Sequence, residues 1–102
     1  MKRQRLIIPK KKIAEFCRRH HVVEFSLFGS VLREDFQSDS DVDVLVTFST
    51  DAQVSLFDLV DMKIELEGLF NRPVDVVEKD ALRNPFRKQE ILSTAQVIYA
   101  AR

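Results

Sequence analysis

In the segment "SDSDVDVLV", Ser38 to Val46, three aspartates occupy alternate positions, Asp39, Asp41 and Asp43, before the chain turns wholly apolar. Residues two apart on a strand share a face about 6.5 to 7 Å along the chain, so these carboxylates can stand on one side. Val42, Val44 and Val46 then take the other side, the natural core face. Asp43 is the anomaly, because it lies inside the strand pattern, where an uncompensated carboxylate is costly to bury. The segment "VDVVE", Val74 to Glu78, repeats it with Asp75 between Val74 and Val76. If the two strands are neighbours in register, Asp41, Asp43 and Asp75 converge on one patch. Three carboxylates that close resist ionising together unless a cation sits among them. An all-oxygen donor set selects a hard ion, Mg²⁺ or Mn²⁺, completed by substrate phosphates. The competing reading is three unrelated surface aspartates at strand ends.

A second constellation comes earlier. "VVEFSLF", Val22 to Phe28, alternates as a strand with Val23, Phe25 and Leu27 on its apolar face, and it ends at Gly29-Ser30. A strand that opens through Gly-Ser into a helix offers backbone N–H groups, a hydroxyl and the positive end of the helix dipole, which suits a phosphate. Glycine permits the turn and a close approach of the backbone. Arg33 follows within one helical turn, where a guanidinium reaches the same oxygens. Joined to a carboxylate group one strand later, this describes a nucleoside triphosphate held at both ends of its phosphate chain.

The elements that must position these residues are legible in outline. Proline at the first turn predicts a helix from near Pro9 to about Arg19, with Ile13, Phe16, Cys17 and His20 on one face. His20 and His21 end that helix rather than serve as a metal or acid–base pair, and Cys17 packs rather than reacts. "VLREDF" has the length of a short helix, and Asp41 to Phe48 forms the second strand. Ser55 caps a helix through about Leu69, with Leu56, Leu59, Val60 and Ile64 as its apolar stripe. Val74 to Glu78 is the third strand, and Asn84-Pro85 opens a helix through about Ser93. The closing "AQVIYAA" reads as a short edge strand or a helix end. The fold class is α/β or α+β, a small mixed sheet with helices covering one or both faces.

Composition bounds the rest. At 102 residues, 45% of them hydrophobic, with two glycines and three prolines, the chain reads as one folded domain spanning 1–102. Lys+Arg and Asp+Glu are equal at 16 each, so no net field advertises a nucleic-acid or membrane partner. The basic start, Lys2 to Lys12, reads as a solvated terminus, and no signal peptide or membrane-spanning run is present. One cysteine excludes an internal disulfide and suits a reducing compartment, so a soluble cytoplasmic protein is expected.

The stretch "GSVLREDFQSDSDVDVLV" resembles the signature of the nucleotidyltransferase superfamily of DNA polymerase β: Gly-Ser, ten residues, then Asp-x-Asp among apolar residues. "VDVV" around Asp75 is similar to the strand that brings that family's third carboxylate. The small size, Arg33 and the ending "ILSTAQVIYAAR" most resemble the minimal nucleotidyltransferases, MNT-type antitoxins encoded beside HEPN-domain toxins. The resemblance implies the polymerase β palm-like fold. It implies that Asp41 and Asp43 coordinate two Mg²⁺ ions, Mn²⁺ being an alternative, and that Asp75 binds one of them while helping to deprotonate the attacking hydroxyl. Gly29 and Ser30 would hold the β/γ phosphates of ATP, with Arg33 as auxiliary. Glu34 departs from the glycine that many relatives carry after the arginine. Asp39 precedes the closing of the ten-residue spacing and reads as a solvated loop residue. The implied reaction is transfer of AMP to a hydroxyl of a partner HEPN toxin, which silences it. Two alternatives stand beside it: a binding-only antitoxin with a vestigial site, and transfer to a small molecule or an RNA end.

Overall fold

The computed structural model describes residues 8–29 and 41–101. Helix α1 (Lys10–Arg19) leads into β1 (Val22–Phe28), followed by β2 (Val42–Phe48), α2 (Leu56–Phe70), β3 (Val74–Glu78), a 3₁₀ turn at Lys79–Ala81, α3 (Pro85–Thr94) and β4 (Gln96–Ala100). The strands form one mixed sheet in the order β3-β2-β1-β4. β1 runs antiparallel to both β2 and β4, whereas β2 and β3 are parallel. A parallel pair needs a crossover, and α2 supplies it.

Helices cover both faces. On one side Ile13, Phe16 and Cys17 of α1 and Met62, Leu66 and Phe70 of α2 pack against Phe25, Leu27, Val42, Val44, Val46 and Val74 of the sheet. On the other side Ile91 of α3 joins Phe28 and Leu45, with Val77, Leu82 and Ala95 at the margin. Burying one such leucine or isoleucine contributes about 1.5–3 kcal/mol, so the first face holds most of the hydrophobic stabilisation. Cys17 packs as expected, and burial pushes its thiol up to about 12, which keeps it protonated and unreactive.

Local chemistry sets the element ends. Asp58 N–H donates to the Ser55 hydroxyl at 3.2 Å while Ser55 N–H donates to the Asp58 carboxylate at 2.9 Å, a reciprocal cap that starts α2. Asn71, with φ 55°, ends α2 in the left-handed region. Asn84 caps α3 and Pro85 takes its first position. His20 ends α1 as expected, its N–H bonded to the Phe16 carbonyl.

Three readings are revised or settled. Of the stripe Leu56, Leu59, Val60 and Ile64, only Leu59 packs against the core. α2 turns Met62, Leu66 and Phe70 inward and leaves Leu56, Phe57, Val60 and Ile64 exposed at 74%, 82%, 47% and 61%. Both sets satisfy helical spacing, and the bulkier inner set fits against the sheet. In β1 a register shift between Val22 and Glu24 breaks the alternation, so Val22, not Val23, is buried in the core. The closing stretch is a strand: β4 lies along the outer edge of β1, and Ala101 N–H donates to the Val23 carbonyl at 2.7 Å.

Candidate active site

Asp43 and Asp75 are Cα partners across the parallel β2–β3 pair, so two carboxylates stand side by side on one face of the sheet. Their strand neighbours Val42, Val44 and Val74 are buried beneath the opposite face, so the two-residue period delivers a core and a pair of carboxylates from the same strands. Asp43 is half-buried and Asp75 exposed. Asp41 is exposed just before β2, where Val42 N–H donates to the Pro73 carbonyl at 2.9 Å and ties the starts of the two strands together.

Gly29 meets this pair from the other side. Phe28 is the register partner of Asp43 across β1–β2, and Gly29 follows it at φ +75°, where side chains are disfavoured. A Cβ at Gly29 would fall on the Asp43 carboxylate. The glycine is thus required twice, by its backbone angle and by the carboxylate against it. Ser30 and Arg33 lie outside the described residues, as do Glu34, Asp39 and the short helix expected over "VLREDF".

Among the described residues no three carboxylate, imidazole or thiolate groups close around a cation by themselves. The donor types still fit Mg²⁺, which is ordinarily held by one or two carboxylates with phosphate and water oxygens filling the remaining positions. Asp43 and Asp75, with Asp41 at the strand start, would be the residues to offer such an incomplete shell.

The strand that carries Asp75 has support that the sequence pattern hides. Val74 N–H donates to the Glu67 carboxylate at 3.0 Å, and Lys63 Nζ donates to the Val74 carbonyl at 2.8 Å. Lys63 and Glu67 also pair with each other at 3.7 Å. An i,i+4 pair of opposite charges is the signal for it, but such a pair reads as a solvated helix face until β3 is placed beside it.

A second polar cluster lies at the opposite end of β1. The Glu65 carboxylate accepts from the Arg19 guanidinium and contacts His20 Nε2 at 3.0 Å, joining the end of α1 to α2. The Arg19 hydrogen bond, then that of His20, holds the Glu65 carboxyl below its ordinary range despite partial burial. Val22 pairs with Phe48 at this end and Phe28 with Asp43 at the other, so the cluster belongs to the fold rather than to the carboxylate pair.

The residue pattern of the nucleotidyltransferase domain family matches residues 10–98. The chain belongs to that family. It is accordingly a nucleotidyltransferase, and its relatives include small proteins of similar length. A Methanocaldococcus jannaschii protein provisionally named protein adenylyltransferase MJ0435 is 38% identical over 84% of this chain and 89% of its own. Protein adenylyltransferase MntA of Thermococcus cleftensis is 37% identical over 78% of this chain and 75% of its own. Among solved structures, one described as a minimal nucleotidyltransferase superposes with a TM-score of 0.70 at 34% identity, covering 85% of this chain and 86% of that one. A chain from the complex of tri-AMPylated Shewanella oneidensis HEPN toxin with MNT antitoxin superposes with a TM-score of 0.64, covering 90% of this chain and 70% of that one. At 17% identity the last likeness is one of fold.

Proposed function

We propose that this nucleotidyltransferase transfers AMP from ATP to a hydroxyl of a HEPN-domain toxin and acts as its antitoxin. The observation that carries the reading is the in-register pair Asp43–Asp75 with Gly29 against Asp43, in a chain similar to proteins named protein adenylyltransferase. The solved complex of an AMPylated HEPN toxin with an MNT antitoxin of the same fold supports the choice of acceptor.

In this reading Asp41, Asp43 and Asp75 hold Mg²⁺, with Mn²⁺ as the alternative hard ion. When bound, the ions offset the triphosphate charge and stabilise the entering and departing oxygens. Gly29 and Ser30 hold the β/γ phosphates through backbone N–H groups, and Arg33 neutralises charge on the same oxygens. Asp75 takes the proton of the attacking hydroxyl. The acceptor oxygen then bonds to the α-phosphorus, the bond from that phosphorus to the bridging oxygen of the β-phosphate breaks, and pyrophosphate leaves. The added nucleotide would silence a ribonuclease by charge and bulk. The lone buried Cys17 suits a reducing cytoplasm.

The exposed stripe Leu56, Phe57, Val60 and Ile64 favours a second reading, an antitoxin that acts by binding alone. Intact-mass analysis of the HEPN-domain protein encoded beside this one, after incubation with this chain, Mg²⁺ and each nucleoside triphosphate, tests both. AMP adducts that appear with ATP and vanish with Asp43→Ala support transfer. Protection from the toxin that survives Asp43→Ala without any adduct overturns it in favour of binding alone.

A further inference from the structure

We propose that Lys63 and Glu67 of α2 are positioning residues for Asp75, holding the side of β3 that faces away from β2. The inference rests on the assignment of Asp75 to the nucleotidyl-transfer site. Among the described residues β3 is an edge strand, paired only with β2, so alternate residues turn their backbone N–H and C=O groups away from the sheet. Val74 is one of these. Both of its outward groups are met by side chains, the N–H by Glu67 at 3.0 Å and the C=O by Lys63 at 2.8 Å.

The alternation fixes what this means for the next residue. The Pro73 carbonyl accepts from Val42 N–H at 2.9 Å and so points toward β2, Val74 points outward, and the backbone groups of Asp75 return toward β2. Asp75 is therefore preceded by two residues held from opposite directions, Pro73 by β2 and Val74 by α2. The opposed charges fix more than one degree of freedom. An acceptor on the N–H and a donor on the C=O resist sliding along the strand and rotation of the peptide planes about it. Lys63 and Glu67 are one helical turn apart and pair with each other at 3.7 Å, so each limits the rotamers of the other.

The cap of the helix adds to this. Asn71 N–H donates to the Glu67 carbonyl at 2.8 Å, so Glu67 sits in the last hydrogen-bonded turn of α2, three residues before the chain leaves the helix for β3. Its backbone closes the helix while its side chain opens the strand. This places the carboxylate of Asp75 level with that of Asp43, which the site needs if both are to share one cation. A strand free to shift by about 1 Å would hold Asp75 out of reach, and misplacement on that scale costs on the order of tenfold to a hundredfold.

Glu67→Ala and Lys63→Met test this against Glu67→Gln, which keeps an acceptor for Val74 N–H. Three readouts separate positioning from stability: the rate of AMP transfer, Mn²⁺ affinity measured by electron paramagnetic resonance in the presence of a non-hydrolysable ATP analogue, and amide exchange over residues 74–78. The expected result is a fall of about tenfold in both kcat and Mn²⁺ affinity for Glu67→Ala and a smaller fall for Lys63→Met, with KM for ATP little moved. Glu67→Gln returns both to within about threefold of the parent, and exchange quickens over 74–78 only in the variants that lose Mn²⁺ affinity. Unchanged Mn²⁺ affinity in a folded Glu67→Ala protein overturns the inference, as does an equal loss in Glu67→Gln. If the parent protein binds Mn²⁺ but transfers no AMP, it is the functional reading that fails, and the Mn²⁺ and exchange readouts still decide the role of Lys63 and Glu67.

Discussion

Toward α1 and α2 the sheet turns Phe25, Leu27, Val42, Val44, Val46 and Val74, each at most 1% exposed. The same strands turn Phe28 and Leu45 toward α3 beside Asp43 and Asp75. One face is sealed by two helices; the other is divided between a small apolar cluster and a pair of carboxylates. The difference teaches how a short chain separates stability from chemistry. Alternation along β2 and β3 lets Asp43 and Asp75 occupy positions that the main core never sees, so the charged face is free to be arranged for function.

Breaking the charged side should have the largest effect on activity and almost none on folding. Asp75→Asn is expected to lower AMP transfer on the order of 10²–10³-fold while the melting temperature holds, because the side chain is exposed and lies outside the core. A parallel loss of melting temperature would show that the two faces are not separable in this way.

Breaking the sealed side should do the reverse. Leu66→Ala, in a fully buried position, is expected to cost about 3–4 kcal/mol in urea unfolding. Ile91→Ala, at the smaller cluster and 6% exposed, should cost nearer 2 kcal/mol because that site can collapse more easily. Equal costs would mean that the α3 face contributes more to stability than its few buried residues suggest.

Gly29→Ala joins the two sides. It places a Cβ at positive φ and against the Asp43 carboxylate, so a stability loss of about 1–2 kcal/mol should accompany a loss of transfer. Asp43→Gly in the same background clears the space and is expected to restore part of the stability and none of the activity.

The smallest effect belongs to Glu65, whose cluster with Arg19 and His20 lies at the end of β1 away from Asp43. Its carboxyl is held below the ordinary value of 4.5, first by the Arg19 hydrogen bond. A carboxyl whose folded value is depressed contributes stability above its unfolded value, and that contribution fades as pH falls through the folded one. Glu65→Gln should therefore lower stability at neutral pH by about 1 kcal/mol or less and leave a flatter profile below pH ~4.5. Chemical denaturation across that range reads the difference.

Much of this was legible because it is local. The caps at Ser55 and Asn84, the strand at Val42–Phe48 and the paired anomalies Asp43 and Asp75 all follow from residue type and a period of two. The spacing of Gly-Ser to Asp-x-Asp carried the resemblance to the nucleotidyltransferases, and that resemblance implied the chemistry. What depended on distant partners was less secure. α2 carries apolar residues on both sides, and helical spacing accommodates the stripe through Leu56, Val60 and Ile64 as well as the buried one through Met62, Leu66 and Phe70. The bulge in β1 moved Val22 into the core because pairing with β2, not alternation, sets which residue is skipped.

By itself, then, the sequence determined most of the strands and helices before the closing stretch, which carboxylates stand out from their apolar surroundings, and the family that the pattern resembles. These are properties of neighbours along the chain. Tertiary structure alone decided that Asp43 faces Asp75, since that register is set by a crossover through α2. It alone decided that the outward backbone groups of Val74 in β3 are met by Lys63 and Glu67, and that the closing residues form a strand. The physical reason is the same in each case: the backbone groups of an edge strand must find partners, and the chain that supplies them lies close in space but not always in sequence.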